Sequence, residues 1–220
     1  TAASVSYDTM AVSQPAGPIT IPAYSRYVSN PIVPKGSAGT WEATDVANPD
    51  VFWDAPNLRW VMSYSGYSLA DNKWRLGLAY STDPLTWTKE AANPVFSPNV
   101  SEGYLACNGS VVYKTGTYYH FYNNGTFTGV FLATSTDLLS WTRQNGGIAV
   151  IAQGGSGSID ENRVADPMVR VADDGTFQCW YSAENSGLVR CYAYATSTDG
   201  AIWTKQGKLF AKPTFAGLNP

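Results

Sequence analysis

The chain has 220 residues with a formal net charge of −3, and charged and aromatic residues each make up 14% of it. Disordered chains combine low hydrophobicity with high net charge, so this composition favours a folded, turn-rich β domain. The lack of a basic stripe argues against nucleic acid or an anionic membrane as a partner, and no apolar run approaches the roughly 20 residues that a membrane-spanning helix needs.

The first 45 residues are predicted to form an extended lead-in followed by a closing strand. Pro15, Pro18 and Pro22 disfavour a helix near the start. Residues 24–33 parallel residues 87–96, which are interpreted as the outer strand of a sheet and the exit from it. We therefore expect residues 24–33 to supply an outer strand that closes the structure and covers an exposed sheet edge.

One sequence pattern then occurs three times, over residues 46–92, 105–145 and 163–206. Each copy reads as an apolar strand, a tight turn, an aromatic strand, a loop, and a small-residue strand that ends in Ser-Thr-Asp with a Trp four residues later. The copies begin at Asn48, Asn108 and Asp166, which lie 60 and 58 residues apart (48 to 108, and 108 to 166). A repeat of this length with four short strands is typical of one blade of a β-propeller.

The chain is therefore predicted to be an all-β protein, a β-propeller of four-stranded antiparallel blades, with three blades readable. Residues 207–220 are predicted to begin a further element, because Asn219-Pro220 resembles Asn48-Pro49 at the start of the first blade. Propellers close with about four to eight blades. We expect either a longer parent chain or self-association to complete the ring and cover its open edges.

Polar residues open the inner strand of each blade. Asn48, Asn108 and Asp166 occupy one equivalent position, and Asp50 lies on the same strand face as Asn48. In a propeller these strand starts converge on a central funnel, where carboxylates and amides suit a hydroxyl-rich ligand. The alternative is that they only fix the strand ends by hydrogen bonds. No cofactor is expected, although a ring of Asp and Asn oxygens leaves open a structural Ca²⁺ or Na⁺ ion in the channel.

Aromatic residues occur both in loops and at repeated positions. Sugars favour aromatic faces, and three aromatic residues fall in loops on the same face as the strand starts: Tyr67, Trp74 and Phe127. The Trp of each blade is instead interpreted as packing between blades. The Asp of each Ser-Thr-Asp is interpreted as a turn former that bonds its own backbone.

The remaining reactive residue types are interpreted as structural. His120 is the only histidine and lies among tyrosines on a second strand, and one His with scattered Cys gives no zinc constellation. Cys179 and Cys191 lie on consecutive strands, where two reduced, packed thiols are favoured over a cross-strand disulfide, and Cys107 has no partner. The composition favours an extracellular location, or one on the surface of a particle or cell.

Several stretches resemble the five-bladed β-propeller glycoside hydrolases, families 43 and 32 and their relatives. They are Asn30-Pro31-Ile32-Val33, Gly39-Thr40-Trp41-Glu42, Asn48-Pro49-Asp50-Val51, Ala79-Tyr80-Ser81-Thr82-Asp83 and Ala165-Asp166-Pro167-Met168-Val169. The resemblance covers about residues 24–220 and implies the five-bladed type of propeller. It also implies a carbohydrate ligand, and hydrolysis of glycosidic bonds by two carboxylates that flank the scissile bond.

The family pattern implies a role for each carboxylate. An Asp opens the first blade as base or nucleophile, another Asp on an inner strand stabilises, and a Glu from a later blade is the acid. Here the first position holds Asn48, which cannot act as a general base, so Asp50 is the displaced substitute. Asp166 matches the stabilising Asp, and Glu184 is assigned by position as the acid. Two further glutamates are weaker candidates, Glu161 and Glu102.

The sequence is compatible with two functions. The first is a carbohydrate-active enzyme that hydrolyses furanose or pyranose polysaccharide, with Asp50, Asp166 and Glu184 as its catalytic residues. In that enzyme the substrate-binding residues would be Asn48, Asn108, Tyr67, Trp74 and Phe127. The second is a non-catalytic propeller that binds glycans or builds an assembly, such as a surface adhesin or a virus-particle component. The resemblance favours the first function, whereas the Asn at the base position favours the second.

Overall fold

The structure of the protein, a computed structural model, describes residues 25–211. Residues 25–30 belong to an N-terminal unit that ends at Asn30 and form a turn and irregular backbone. The second unit begins at Pro31. No helix in residues 25–211 has the length and apolar character that a crossing of the bilayer requires.

The described residues form β-strands joined by short turns, loops and 3₁₀ helices. The first sheet holds β1 (Asp45–Asp54), β2 (Arg59–Ser68), β3 (Lys73–Ser81) and β4 (Thr88–Lys89). The second holds β5 (Ala106–Lys114), β6 (Thr117–Asn124), β7 (Gly129–Ser135) and β8 (Thr142–Arg143), and β9 (Ile151–Ala152) also pairs with β7. The third holds β10 (Arg163–Val171), β11 (Phe177–Glu184), β12 (Arg190–Ser197) and β13 (Thr204–Ala211). The three 3₁₀ helices are Ala55–Asn57, Val100–Glu102 and Asn145–Gly147.

Each sheet is antiparallel with its strands in chain order, as the sequence predicts for a propeller blade. The residue pattern explains why, since side chains along β11 and β12 alternate between buried and more accessible positions, the period of a strand with two different faces. The link between β5 and β6 consists of Thr115 and Gly116 alone. Both have positive φ, 44° and 85°, which matches the twist of a tight two-residue hairpin.

Apolar clusters hold neighbouring sheets together. Between the first and second sheets the buried side chains include Leu78, Val111 and Tyr118. Between the second and third they include Phe121 and Phe177, whose rings lie 5.9 Å apart. The inner strands β1, β5 and β10 lie next to one another in this arrangement. The sheets therefore pack face to face like successive propeller blades, with their inner strands towards one axis.

All three repeated Asp residues and two of the three repeated Trp residues have the roles that the sequence predicts, whereas Trp87 packs beside Ile32 and Val33 on the first sheet and not between blades. Trp141 packs between the first two sheets and Trp203 between the last two. Their indole N–H groups donate to the carbonyls of Leu138 and Gly200 at 2.8 Å. The Asp of each Ser-Thr-Asp accepts two backbone N–H groups of its own turn, and these bonds lower the pKa of all three side chains: Asp83, Asp137 and Asp199.

The ends of the repeat array differ in part from the sequence prediction. Residues 25–44 contain no strand, and instead Ile32, Val33 and Trp41 pack on the outer face of the first sheet. The rest of the predicted closing strand and lead-in lies outside the described residues. At the other end, the third blade does not stop at residue 206, because β13 runs on through Ala211 beside β12, with two irregularities in the register of this pair. The further element predicted for residues 207–220 otherwise lies outside the described residues.

The buried thiols and the histidine are structural, as predicted. Cys107, Cys179 and Cys191 are reduced and buried. The register pairs Cys179 with Ala195 and Cys191 with Ala183, so the two residues do not face each other across the hairpin. His120 is fully buried and lies 5.0 Å from the Tyr122 ring. Neither of its ring nitrogens has a hydrogen-bond partner among the described residues.

Replacement of His120 by Met is expected to stabilise the protein. Met62 occupies the equivalent position on β2, and a thioether removes two unsatisfied buried nitrogens, which gives about 1–2 kcal/mol at pH 7. Burial, with a smaller contribution from Arg143, lowers the pKa of His120 to about 3. Between the ordinary histidine pKa and 3 only the unfolded chain binds this proton, so the wild type loses about 1.4 kcal/mol per pH unit on acidification.

The measurement is urea unfolding of wild type and H120M at pH 7 and pH 5. The advantage of the variant should be larger at pH 5, because the protonation penalty of His120 disappears with the side chain. An equal or smaller advantage at pH 5 would show that His120 is positively charged in the folded protein at that pH.

Candidate functional site

A β-bulge opens the inner strand of each sheet. The pairing register shifts between Ala47 and Asp50, between Cys107 and Ser110, and between Ala165 and Met168. In each bulge the first residue has a left-handed backbone, with φ of 50° at Asn48, 63° at Asn108 and 52° at Asp166. Asn and Asp tolerate this conformation better than other non-glycine residues. The local backbone thus explains why these residue types recur at the strand starts.

The three bulges surround one open cleft of about 170 Å³. Its lining consists of Asn48-Pro49-Asp50, Asn108-Gly109-Ser110 and Asp166-Pro167-Met168. The amide nitrogen of Asn108 donates to Oδ1 of Asp166 at 2.6 Å. The side chain of Asp166 is nevertheless 46% exposed. The structure therefore brings together four of the predicted site residues and leaves Asp166 as an accessible carboxylate.

Asp50 links the first sheet to the second. Its Oδ2 accepts the backbone N–H of Val111 at 2.9 Å. Ser110, the equivalent residue one blade later, accepts the backbone N–H of Val169 with its hydroxyl at 3.0 Å. Burial raises the pKa of Asp50 to about 6, although the Val111 N–H acts in the opposite direction. The uncharged hydroxyl of Ser110 makes the equivalent hydrogen bond in the next blade. The contact of Asp50 with Val111 is therefore structural and needs no charge on the carboxyl group.

A second pair of repeated hydrogen bonds reinforces this junction. The hydroxyl of Ser65 accepts the backbone N–H of Asn108 at 3.2 Å, and the side-chain oxygen of Asn123 accepts the backbone N–H of Asp166 at 2.7 Å. Ser65 and Asn123 occupy equivalent positions on β2 and β6. The second and third bulges are therefore each anchored by the preceding sheet, which positions the side chains of Asn108 and Asp166 at the cleft.

Glu184 lies at the end of β11 and is already paired. Its carboxylate accepts a hydrogen bond from Nε of Arg190 at 2.6 Å. The side chain of Glu184 is 13% exposed, and it does not line the cleft. Across the strand pair Glu184 faces Arg163. The residue assigned as the acid thus lies in a group of charges near Asp166 rather than beside it.

The three aromatic residues predicted to bind substrate lie outside the cleft lining. Tyr67 and Trp74 stack on each other across β2 and β3, with ring centres 4.9 Å apart. Trp74 and Phe127 also pack against the buried cluster between the first two sheets. The ring of Phe127 in addition holds the guanidinium of Arg163 at 4.0 Å. Packing accounts for much of the surface of these residues.

Each sheet has a buried acidic residue shortly before its first strand, and a tyrosine and a cation of the same sheet contact this carboxylate, an arrangement that we call the clamp. Tyr122 donates to Oε1 of Glu102 at 2.6 Å, and Arg143 donates to Oε2 at 2.6 Å. In the third sheet Asp160 accepts from Tyr181 at 3.0 Å and Lys205 at 2.6 Å. In the first sheet Glu42 pairs with Lys89. The pKa of Tyr64 is raised, chiefly by burial and also by the neighbouring carboxylate of Glu42.

This clamp explains Glu102, which the sequence made a weak candidate for the acid. The residue is 4% exposed and both of its oxygens are occupied. Burial alone would raise its pKa, but Arg143, Tyr122 and the Asn99 N–H together hold that pKa below its ordinary value. Glu102 is therefore a structural carboxylate. Glu161, the other weak candidate, accepts the backbone N–H of Gly157 at 2.9 Å.

The sequence does contain a signal for these clamps. Each carboxylate lies six residues before the bulge residue of its blade (42 to 48, 102 to 108, and 160 to 166). Its cation directly follows Trp-Thr near the end of the same blade: Lys89, Arg143 and Lys205. A comparison of polar positions across the repeats would have found them. In residues 25–211 no group of three or more His, Cys, Asp or Glu side chains is arranged to hold a metal ion.

No protein-family model matches the chain, and no curated protein matches it either. Solved structures do match. A structure named as a glycoside hydrolase is 26% identical over 71% of this chain, with a TM-score of 0.57. A structure named as a BT0996 RGII complex is 25% identical over 77% of the chain, with a TM-score of 0.56. The sucrose-6-phosphate hydrolase from Lactobacillus gasseri is 15% identical over 74%, with a TM-score of 0.62.

The chain spans only 47%, 49% and 34% of these three proteins, respectively. Sheet order, strand number and the packing of successive inner strands agree with the resemblance found in the sequence. This chain thus carries three four-stranded blades of a β-propeller, a fold that it shares with these glycoside hydrolase structures.

Proposed function

We propose that the cleft between the three bulges is a carbohydrate-binding site of a carbohydrate-active propeller. The observation that carries the proposal is the convergence of Asn48, Asn108 and the half-exposed Asp166 on one cleft. Amides supply both donors and acceptors, and a carboxylate supplies acceptors only. Sugar hydroxyls both donate and accept, so this set of groups suits a hydroxyl-rich ligand. The glycoside hydrolases among the similar structures support the same ligand class.

Hydrolysis of a glycosidic bond by this cleft is the second candidate function. The observation that favours it is the presence of two carboxylates with different environments, Asp166 and Asp50. Paired carboxyl groups in unlike environments are the usual basis of acid and base roles in glycosidases. Asp50 is bound to Val111 N–H and has a pKa raised to about 6 by burial. Binding is the stronger proposal because it needs only the accessible groups.

Replacement of Asp166 by Asn is expected to weaken sugar binding about tenfold to a hundredfold. A hydrogen bond to a charged group contributes about 1.5–3 kcal/mol, and each 1.4 kcal/mol is a factor of ten in Kd. The measurement is titration calorimetry with sucrose, sucrose 6-phosphate and RGII oligosaccharides, chosen after the similar structures.

The matched control is Asp174→Asn, in the exposed turn of the same sheet before Thr176. Its amide oxygen can still accept the Thr176 N–H, and the turn is distant along the strand from the bulge. Equal affinity of wild type and D166N for every bound sugar would remove Asp166 from the site. Absence of binding to all of these sugars would contradict the proposed function.

A further inference from the structure

Arg163 is partly buried without using its hydrogen-bond donors. Its side chain is 25% exposed, and its guanidinium donates no hydrogen bond to any described residue. Five other arginines each donate at least one, to a carboxylate, a carbonyl or an amide oxygen: Arg59, Arg75, Arg143, Arg170 and Arg190. A guanidinium carries five N–H donors in a fixed plane. The guanidinium of Arg163 can therefore donate hydrogen bonds to a ligand.

A strained aromatic residue holds this guanidinium in place. Arg163 lies over the ring of Phe127 at 4.0 Å, a cation–π contact that fixes the plane of its donors. The backbone of Phe127 has a φ of 55°, which is unfavourable for a bulky residue and persists only where the surrounding structure imposes it. Here the carbonyl of Phe127 accepts the N–H of Val164 at 3.1 Å, next to Arg163 in β10. The backbone of Phe127 is thus tied to β10 at the residue that follows Arg163, with its ring against the guanidinium.

Asp166 complements these donors. The closest approach of its Oδ2 to Nη2 of Arg163 is 3.7 Å, too long for a hydrogen bond. Its other oxygen is already bonded to Asn108. Asp166 lines the cleft, and Arg163 lies just outside the lining with its guanidinium 3.7 Å from the Asp166 carboxylate, so an acceptor and a set of donors lie side by side. Neighbouring hydroxyls of a sugar ring, which donate and accept at once, match such a pair.

The local charges favour a neutral ligand over an anionic one. Arg163 and Asp166 offset each other, and Arg190 is bonded to Glu184. No positive charge in this group is left without a carboxylate nearby. An anionic sugar would gain from Arg163 but would also approach Asp166. A vicinal diol meets no such repulsion.

We propose that Arg163 is a specificity-determining residue, whose guanidinium donates to the oxygens of a vicinal diol on a neutral sugar while Asp166 accepts from the same diol. The inference rests on the proposed function and adds to it a residue and a ligand class. Lysine keeps the charge but lacks the planar set of donors. Arg163→Lys is therefore expected to weaken binding of the neutral sugar at least tenfold.

The experiment is titration calorimetry of wild type, R163K and the control R170K with sucrose and sucrose 6-phosphate, a pair that differs only in its anionic group. Arg170 lies on the same strand but is exposed and bonded to Gln178, so R170K should bind within twofold of wild type. We expect wild type to bind sucrose more tightly than sucrose 6-phosphate, and R163K to bind sucrose at least tenfold more weakly than wild type does. Melting temperatures of all three proteins check that each variant folds.

Phenylglyoxal labelling of the wild type, analysed by mass spectrometry, gives a second readout that needs no variant. Sucrose should protect Arg163 from the reagent and leave Arg170 unprotected. If D166N weakens sugar binding but R163K does not, and sucrose fails to protect Arg163, this inference is overturned while the proposed function stands. A tenfold preference for sucrose 6-phosphate that R163K abolishes would make the ligand anionic and overturn the neutral class. Absence of all binding would overturn both proposals.

Discussion

Glu102→Gln is expected to lower the free energy of unfolding by about 3 kcal/mol at pH 7. The carboxylate is 4% exposed and accepts hydrogen bonds from Tyr122 and Arg143. Removal of one partner from a buried ion pair leaves the other charge uncompensated, which costs about 3–5 kcal/mol. We place the effect at the lower end because the Arg143 side chain is 26% exposed and can recover some water.

The stability loss in Glu102→Gln is expected to depend on pH. The pKa of Glu102 is held below its ordinary value, so its contribution is present above the unfolded-state pKa and is lost as the pH falls through the folded-state pKa. The difference between wild type and E102Q in urea unfolding should therefore shrink in acid. The control is Asp71→Asn, which breaks an exposed ion pair with Arg75 and should change stability by less than about 1 kcal/mol. Equal losses in both variants would mean that the clamp does not stabilise the fold.

Much of the fold was predictable because each blade repeats the same local pattern. The hairpin at Thr115-Gly116 and the capped turn at Asp137 are short-range features, and short-range features leave a direct trace in the sequence. The equivalence of Asn108 and Asp166 was also predicted correctly, although both lie at bulges inside β5 and β10 rather than at the strand starts. Completion of the ring, by a longer parent chain or by self-association, stays a prediction.

The roles of individual polar residues were harder to predict, because they depend on contacts between sheets. The bond from Asp50 to Val111 joins residues 61 positions apart. Nothing in the sequence around Asp50 distinguishes such a bond from a catalytic role. Likewise Glu102 and Arg143 are 41 residues apart, and Arg163 acquires its role only from the ring of Phe127. Residue type predicts what a group can do, and the neighbouring blade decides what it does.

Asp50→Asn is expected to raise the free energy of unfolding by about 3 kcal/mol at pH 7. The wild-type carboxylate has its pKa raised to about 6 by burial, so its ionised form is disfavoured in the folded protein, at about 1.4 kcal/mol per pKa unit. An Asn side chain keeps an oxygen for the Val111 N–H without the charge. Because the folded-state pKa is raised, the wild type gains relative stability as the pH falls from 6 towards 4. The advantage of D50N should therefore vanish near pH 4.

Urea unfolding at pH 7 and pH 4 measures this stability effect. The control is Ser110→Ala, which removes the acceptor for Val169 N–H one blade later and should cost about 1 kcal/mol at both pH values.

Assays of sugar hydrolysis and binding on the same D50N protein separate the two candidate functions. If Asp50 only joins two sheets, D50N gains stability at pH 7 and binds sugar within threefold of wild type. If it is a general acid or base, any hydrolysis by the wild type falls at least a hundredfold in D50N, whatever the change in stability. A loss of stability at pH 7 would contradict the inference that this junction needs no charge, because the amide would then fail to replace the carboxylate as acceptor for Val111.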